Sequence, residues 1–221
     1  MQFRDRRDAG QQLAKALAFL KGQENMLILG IPRGGVVVAA EVASALGAPL
    51  DVFIARKIGA PGNPELAIGA VASCGGVVLD EELVAGLGVP PSYIEKETAR
   101  QQQEITRRMA VYRGNRPSPE LAGKTVVLVD DGVATGATTL AALRALRASE
   151  PTELILAVPV GPPDTITRLG EEADLVICLY TPQWFWAVGA FYVDFDQTTD
   201  EEVIRLLEGK DRSSCQPDPR R

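Results

Sequence analysis

The stretch Val126-Val127-Leu128-Val129-Asp130-Asp131-Gly132-Val133-Ala134-Thr135-Gly136-Ala137-Thr138-Thr139 constrains this chain more than any other. Four apolar, mostly β-branched residues read as a buried strand of a parallel sheet. Two adjacent carboxylates stand at its end. A turn of small and hydroxyl residues follows, and Leu140–Leu146 continues as a helix pattern rich in Leu and Ala. The order is therefore strand, acidic pair, small-residue turn, helix N-terminus. Backbone N–H groups and the helix dipole at such a turn favour an anion, and phosphate is its natural guest. The carboxylates repel a phosphate, but they accept hydrogen bonds from neighbouring hydroxyls or hold the water shell of a metal. A phosphate at one end and vicinal hydroxyls at the other describe a ribose 5-phosphate.

Composition narrows the chemistry. The 221 residues suffice for one sizeable core, and the net charge of −6 makes a nucleic-acid surface a poor expectation. There is no histidine, which removes His-based triads, His-ligated zinc and a His general base together. Cys74, Cys178 and Cys215 are scattered, with no metal spacing, and suit a reducing cytosol. No apolar run is long enough to span a membrane, and the charged start Met1–Asp8 has no apolar segment behind it, so a cytoplasmic location is expected.

Val126–Thr139 resembles the phosphoribosyl-pyrophosphate (PRPP) loop of type I phosphoribosyltransferases. The second informative loop is Gly30-Ile31-Pro32-Arg33-Gly34-Gly35, where glycines allow close backbone approach and Arg33 adds a fork of donors. It resembles the pyrophosphate loop after the first core strand of the same family, where a non-proline cis peptide is often found. Arg56 and Lys57 then resemble the basic strand end that contacts pyrophosphate, with the Gly/Pro-rich stretch beyond them read as a mobile lid. The resemblance implies Mg²⁺-dependent transfer of the 5-phosphoribosyl group from PRPP to a nitrogen acceptor, with release of pyrophosphate. It assigns Asp130 and Asp131 to the ribose hydroxyls and, mostly through water or those hydroxyls, to Mg²⁺. Asp130, Asp131 and Lys57 are its catalytic candidates. Val133, Ala134, Thr135, Gly136, Ala137 and Thr138 would hold the 5-phosphate. Pro32, Arg33, Gly34, Gly35, Arg56 and Lys57 would hold pyrophosphate. Trp184 and Phe185 either stack on a base from a C-terminal hood or serve as core or dimer contacts. The 6-oxopurine enzymes carry an acidic residue before Thr-Gly and a Lys after it. Here those positions are Ala134 and Ala137, which disfavours that kind of base recognition.

The alternation of segments predicts an α/β fold, an open and mainly parallel five-stranded sheet of order 2-1-3-4-5 with helices on both faces. Its predicted core strands are Met26–Leu29, Pro49–Ile54, Val126–Val129, Glu153–Val158 and Leu175–Leu179. The first helix is expected over 8–21 with Asp8 as N-cap, the second over the valine run to Leu46. A hairpin is expected around Gly75-Gly76, a short helix over Glu81–Gly86 and a longer polar one ending at Tyr112. Arg107, Arg108, Arg113 and Arg116 are expected to form a solvated face or a subunit contact. One domain would cover 1–208, with an insertion over about 58–122, a hood over about 180–198 and a flexible tail from 209. The expected partners are small molecules, PRPP and a nitrogen acceptor, with neither nucleic acid nor membrane, and the assembly a homodimer. A regulator that binds PRPP or a nucleotide without turnover, a phosphate-binding interaction module and a ribose-phosphate hydrolase are the rival readings.

Overall fold

A computed structural model describes residues 2–114 and 116–209 of the chain. The tail expected from 209 therefore lies almost wholly outside the described residues. Five parallel strands form the main sheet: β1 (Met26–Gly30), β2 (Leu50–Val52), β6 (Thr125–Val129), β7 (Glu153–Val160) and β8 (Leu175–Tyr180). Their spatial order is β2-β1-β6-β7-β8, the expected 2-1-3-4-5 arrangement of core strands. β1 and β6 are in register from Met26 opposite Thr125 to Gly30 opposite Val129, so the loops that leave them emerge side by side.

Side-chain alternation explains the layering. Leu27, Leu29, Val126, Leu128, Leu154 and Leu156 pack on one face against Ala142, Leu143 and Leu146 of α5 (Ala137–Arg147). Ile28, Val127, Val129 and Ile155 pack on the other, against α1 (Arg6–Ala16) and α2 (Gly34–Leu46). The valine run is indeed helical, since Val36, Val38, Ala39 and Val42 sit against the sheet and its neighbours. α1 starts earlier than expected. Asp5 is its N-cap, accepting from the Asp8 N–H at 2.8 Å, while Asp8 accepts from the Arg4 N–H at 3.0 Å. The helix ends at Ala16, followed by a 3₁₀ turn over Ala18–Leu20.

The largest departure from expectation follows β2. Pro49–Ile54 yields only a three-residue strand. The stretch beyond Lys57 read as a lid instead completes β3 (Ala55–Ala60) and turns at Pro61-Gly62 into β4 (Asn63–Ala72). β5 (Val77–Leu79) adds the Gly75-Gly76 hairpin and completes an antiparallel sheet of order β3-β4-β5. Ala55, Ala70 and Ala72 face α5, while Ile58, Ile68 and Val71 face Ile105 and Tyr112 of α4 (Pro91–Arg113). α3 (Glu81–Gly86) links the two, as expected. After β7, which runs through Pro159 to Val160, α6 (Pro163–Leu169) leads to β8. α7 (Asp200–Leu207) closes the described chain.

The arginine cluster on α4 divides. Arg107 and Arg108 share Glu104 near the surface, whereas Arg113 turns inward. Its Nε and Nη2 donate to Asp51 at 2.9 and 2.6 Å and Nη1 donates to the Ser118 hydroxyl. Arg116 donates to the carbonyls of Tyr112 and Leu207. These two arginines bind the insertion to β2 and α7, which corrects the expectation of a solvated face.

Candidate functional site

The C-terminal ends of β1 and β6 are the switch point of the sheet, where open α/β sheets bind ligands. From β6 come Asp130 and Asp131; from β1 comes the loop into α2. The two are in direct contact. A Cβ on Gly34 would lie 2.0 Å from Asp131 Oδ2, and one on Gly35 would lie 2.8 Å from Asp130 Cα and 2.9 Å from the Val129 carbonyl oxygen. Only glycine lets this loop close on the acidic strand end. The Pro32–Arg33 peptide is cis.

The two carboxylates differ. Asp130 Oδ1 accepts from the Asp131 N–H at 2.8 Å. Burial pushes the Asp130 carboxyl well above the usual carboxylate range, and the neighbouring Asp131 charge pushes it further. Asp131 Oδ2 accepts from Arg6 Nε at 2.7 Å, with only 12% of the Arg6 side chain and 16% of the Asp131 side chain exposed. Arg6 Nη1 donates to the Asp196 carbonyl at 2.7 Å, and its guanidinium lies 3.8 Å from the centre of the Phe195 ring. The Tyr192 hydroxyl donates to the Asp131 carbonyl at 2.6 Å. Burial raises the pKa of Tyr192, keeping it a donor.

These contacts define the hood. Residues 191–194 run beside the N-terminal segment, with Phe3 N–H on the Phe191 carbonyl and Val193 N–H on the Phe3 carbonyl, both at 2.8 Å. Phe3, Tyr192, Phe185 and Phe191 pack together, and the Phe185 and Phe191 rings stack 5.2 Å apart. Phe185 is therefore part of the hood's own packing. Trp184 and Trp186 are 82% and 88% exposed, and neither lines the large cavity at the mouth of the sheet.

That cavity, of about 1060 Å³, lies between the main sheet's loops, the β3–β4 hairpin and α4. Thr135, Ala137 and Thr138 of the β6–α5 turn, Pro32 of the β1–α2 loop, and Arg56 and Lys57 of β3 all line it. Gly136 stands at the N-cap of α5 with φ +71°, a conformation natural to glycine, and no side chain caps the helix. Among the described residues, the N–H groups of the first turn thus have no side-chain acceptor, the condition under which a helix start holds an anion. α6 braces the same turn: the Thr165 hydroxyl donates to the Ala134 carbonyl at 2.9 Å, and Arg168 Nη2 donates to the Thr135 carbonyl. Val133, by contrast, is buried and its N–H bonds to the Val160 carbonyl, so it supports the loop from below.

Around the rim, Arg56 Nε donates to Gln101, Gln101 donates to Glu97, and Glu97 pairs with Arg100. Gln101 is buried, so α4 fixes the Arg56 head from behind. Arg33 points elsewhere, its Nη1 3.9 Å from Asp200 Oδ1 on α7. Arg33, Gly34, Gly35, Asp130 and Asp131 do not line the cavity; they adjoin it beside Pro32, on the hood side. Arg6, Thr165 and Arg168 were not singled out in the sequence. No local motif marks them, because each reaches the site through tertiary contact.

Among the described residues no cluster of three or more Asp, Glu, Cys or His side chains could hold a metal. Asp130 and Asp131 are the carboxylate pair at the switch point, and Arg6 already holds Asp131 Oδ2.

The sheet order, the acidic strand end and the uncapped helix start together define a phosphoribosyltransferase-type fold. Residues 3–196 match the phosphoribosyl transferase domain, and the chain belongs to that family. It is 46% identical over 206 residues, 93% of its length, to a candidate phosphoribosyl transferase of Mycobacterium tuberculosis H37Rv. A protein of the same description from strain CDC 1551 matches equally. The chain spans about half of these curated relatives, 46% of their length. The crystal structure of TT1426 from Thermus thermophilus superposes with a TM-score of 0.87 at 50% identity, over 94% of this chain and 98% of that one. Among the described residues no helix is long and apolar enough to cross a membrane.

Proposed function

We propose that the chain moves the 5-phosphoribosyl group of PRPP to a nitrogen acceptor, Mg²⁺-dependently, releasing pyrophosphate. One observation carries this reading: the uncapped α5 turn and the Arg56-Lys57 pair line one cavity, while the Asp130–Asp131 pair abuts the Gly34-Gly35 loop beside it. The Thr135 and Thr138 hydroxyls and the first-turn amides grip the 5-phosphate. Asp130 and Asp131 accept hydrogen bonds from the ribose hydroxyls. Arg56 and Lys57 neutralise pyrophosphate, with backbone of Pro32–Gly35 beside them. The C1′–oxygen bond to pyrophosphate breaks, the C1′–nitrogen bond forms, and the acceptor's proton leaves to solvent. Positive charge grows on the sugar as the leaving group departs, so positioned carboxylates and exclusion of water matter more than covalent help. The hairpin and α4, packed on each other, wall the cavity and limit the approach of water.

The donor set fits Mg²⁺, which keeps several waters and takes one or two carboxylates plus substrate oxygens. A cation near Asp130 would also favour its ionised form and so offset the burial and the Asp131 charge that raise its pKa. The chemistry a bound Mg²⁺ supplies is neutralisation of pyrophosphate and orientation of the ribose oxygens. Ala134 and Ala137 lack the charged groups that serve a 6-oxopurine, which disfavours that class of acceptor. A cytoplasmic homodimer completes the reading, and sedimentation tests the assembly.

A screen of nitrogen bases with PRPP and Mg²⁺, followed by pyrophosphate release, tests the proposal. Turnover should vanish in the Asp130→Asn, Asp131→Asn double variant; persistence at the wild-type rate overturns the assignment. A regulator that binds without turnover draws support from Arg6, which already occupies Asp131. PRPP binding with no pyrophosphate release from any acceptor would select it.

A further inference from the structure

We propose that Thr165 and Arg168 of α6 are positioning residues for the 5-phosphate seat, holding its backbone so that the amides face the ligand. The proposal rests on the phosphoribosyl reading above. In a trans peptide the carbonyl of one residue and the N–H of the next point in opposite directions. The Thr165 hydroxyl takes the Ala134 carbonyl at 2.9 Å, and Arg168 Nη2 takes the Thr135 carbonyl. The N–H groups of Thr135 and Gly136 are thereby turned away from α6. Both peptide units belong to the turn whose Thr135, Ala137 and Thr138 line the cavity.

Packing locks the same arrangement. A Cβ on Gly136 would lie 2.7 Å from Thr165 Cγ2 and 3.5 Å from Arg168 Nη2, so α6 packs directly against the turn, with Thr165 behind it and the Arg168 side chain also lining the cavity. Thr165 is 8% exposed, and among the described residues its hydroxyl has this one hydrogen bond. Among the described residues Arg168 has no carboxylate partner. Two consecutive carbonyls on a substrate loop, each held by a side chain of the next helix, amount to a preorganised donor set. Such a set avoids reorganisation when an anion binds. Without the tethers the turn can rotate its carbonyls toward the phosphate, where they repel it.

The test measures calorimetric binding of ribose 5-phosphate and, separately, of magnesium pyrophosphate to wild type, Thr165→Val, Thr165→Ser, Arg168→Ala and Arg168→Lys. Thr165→Val is close to isosteric and removes only the hydroxyl that donates to the Ala134 carbonyl, with no change of charge, whereas Arg168→Ala also removes a cation that lines the cavity. Both Thr165→Val and Arg168→Ala should weaken ribose 5-phosphate by about tenfold, the loss of one net hydrogen bond of preorganisation. Pyrophosphate affinity should stay within twofold, Thr165→Ser and Arg168→Lys should recover most of the loss, and KM for PRPP should rise while kcat changes little. A general structural defect would instead weaken both ligands in parallel and would overturn the proposal. Wild-type binding in Thr165→Val overturns it as well, with the phosphoribosyl reading intact. Failure of the wild type to bind ribose 5-phosphate would remove the seat itself, and the functional reading with it.

Discussion

The guanidinium of Arg6 donates to the Asp131 carboxylate at 2.7 Å, joining the first helix to the acidic end of β6 across 125 residues of sequence. The same group reaches the Asp196 carbonyl and stacks on Phe195, so one side chain ties the N-terminus, the hood and the candidate site. Arg6→Ala should destabilise the protein by about 1–3 kcal/mol, because it leaves a mostly buried carboxylate beside another. Arg6→Lys keeps the charge but not the paired donors, and should lose less. Urea denaturation of the three proteins checks this, and an Arg6→Ala protein as stable as wild type would show that the pair contributes nothing.

Asp130 predicts a conflict between stability and activity. Its folded pKa lies above the unfolded value near 3.8 because burial and Asp131 oppose ionisation. Below the unfolded pKa both states are protonated and there is no penalty. As pH rises toward the folded pKa, the unfolded chain ionises freely while the folded one resists, so stability falls, and the deficit persists above it. Asp130→Asn lacks this deficit and keeps an oxygen for the Asp131 N–H. It should melt about 2–4 °C above wild type at pH 8, converge with it near pH 3.5, and have no turnover. Calorimetry at the two pH values decides; equal melting at pH 8 would contradict the sign.

Much of the main sheet was legible in the chain because β1, β6 and β7 are short apolar runs between turn residues, buried on both faces. The two site loops could be found locally, and topology brought them together. What escaped was non-local. Ala55–Ala60 holds two cations and a glycine, a poor strand by composition. It pairs with Asn63–Ala72 because one face of that hairpin meets α5 and the other meets α4. Arg113 looked like its neighbours Arg107 and Arg108 until its partner Asp51, 62 positions away, was in view. Trp184 was attractive as an aromatic face, but the polypeptide places it on the outside of the hood. Arg33 satisfied the loop pattern, yet its head turns to Asp200.

Arg113 and Asp51 make a two-donor pair with side chains 7% and 19% exposed. Removing one partner of such a pair strands the other, at about 3–5 kcal/mol. Arg113→Ala should therefore lower the denaturation midpoint strongly. The site is built from other residues, so ribose 5-phosphate affinity at a temperature where the variant is folded should match wild type. A loss of affinity without a loss of stability would reverse this assignment.

Gly35 tests whether the two loops must touch. Its α-carbon packs so close to Asp130 that a methyl group would meet the Asp130 Cα at 2.8 Å and the Val129 carbonyl oxygen at 2.9 Å. Both are backbone atoms at the end of a central strand and cannot rotate aside, so the start of α2 and the loop before it must retreat instead. Overpacking of this kind destabilises by about 1–3 kcal/mol. The functional effect should exceed that figure, since the retreat separates the Gly30–Gly35 loop, the proposed pyrophosphate seat, from the carboxylates. Gly35→Ala should therefore remain folded while pyrophosphate binding and turnover fall together by at least about tenfold, the response to a displacement near 1 Å at a reacting centre. Gly47, a helix C-cap where an added methyl would meet nothing within 4 Å, is the control. Gly47→Ala strains only its own backbone at φ +73°, so it should lower stability by about 1 kcal/mol and leave turnover unchanged. Equal loss of turnover in both variants would mean that contact between the loops is not what the site requires.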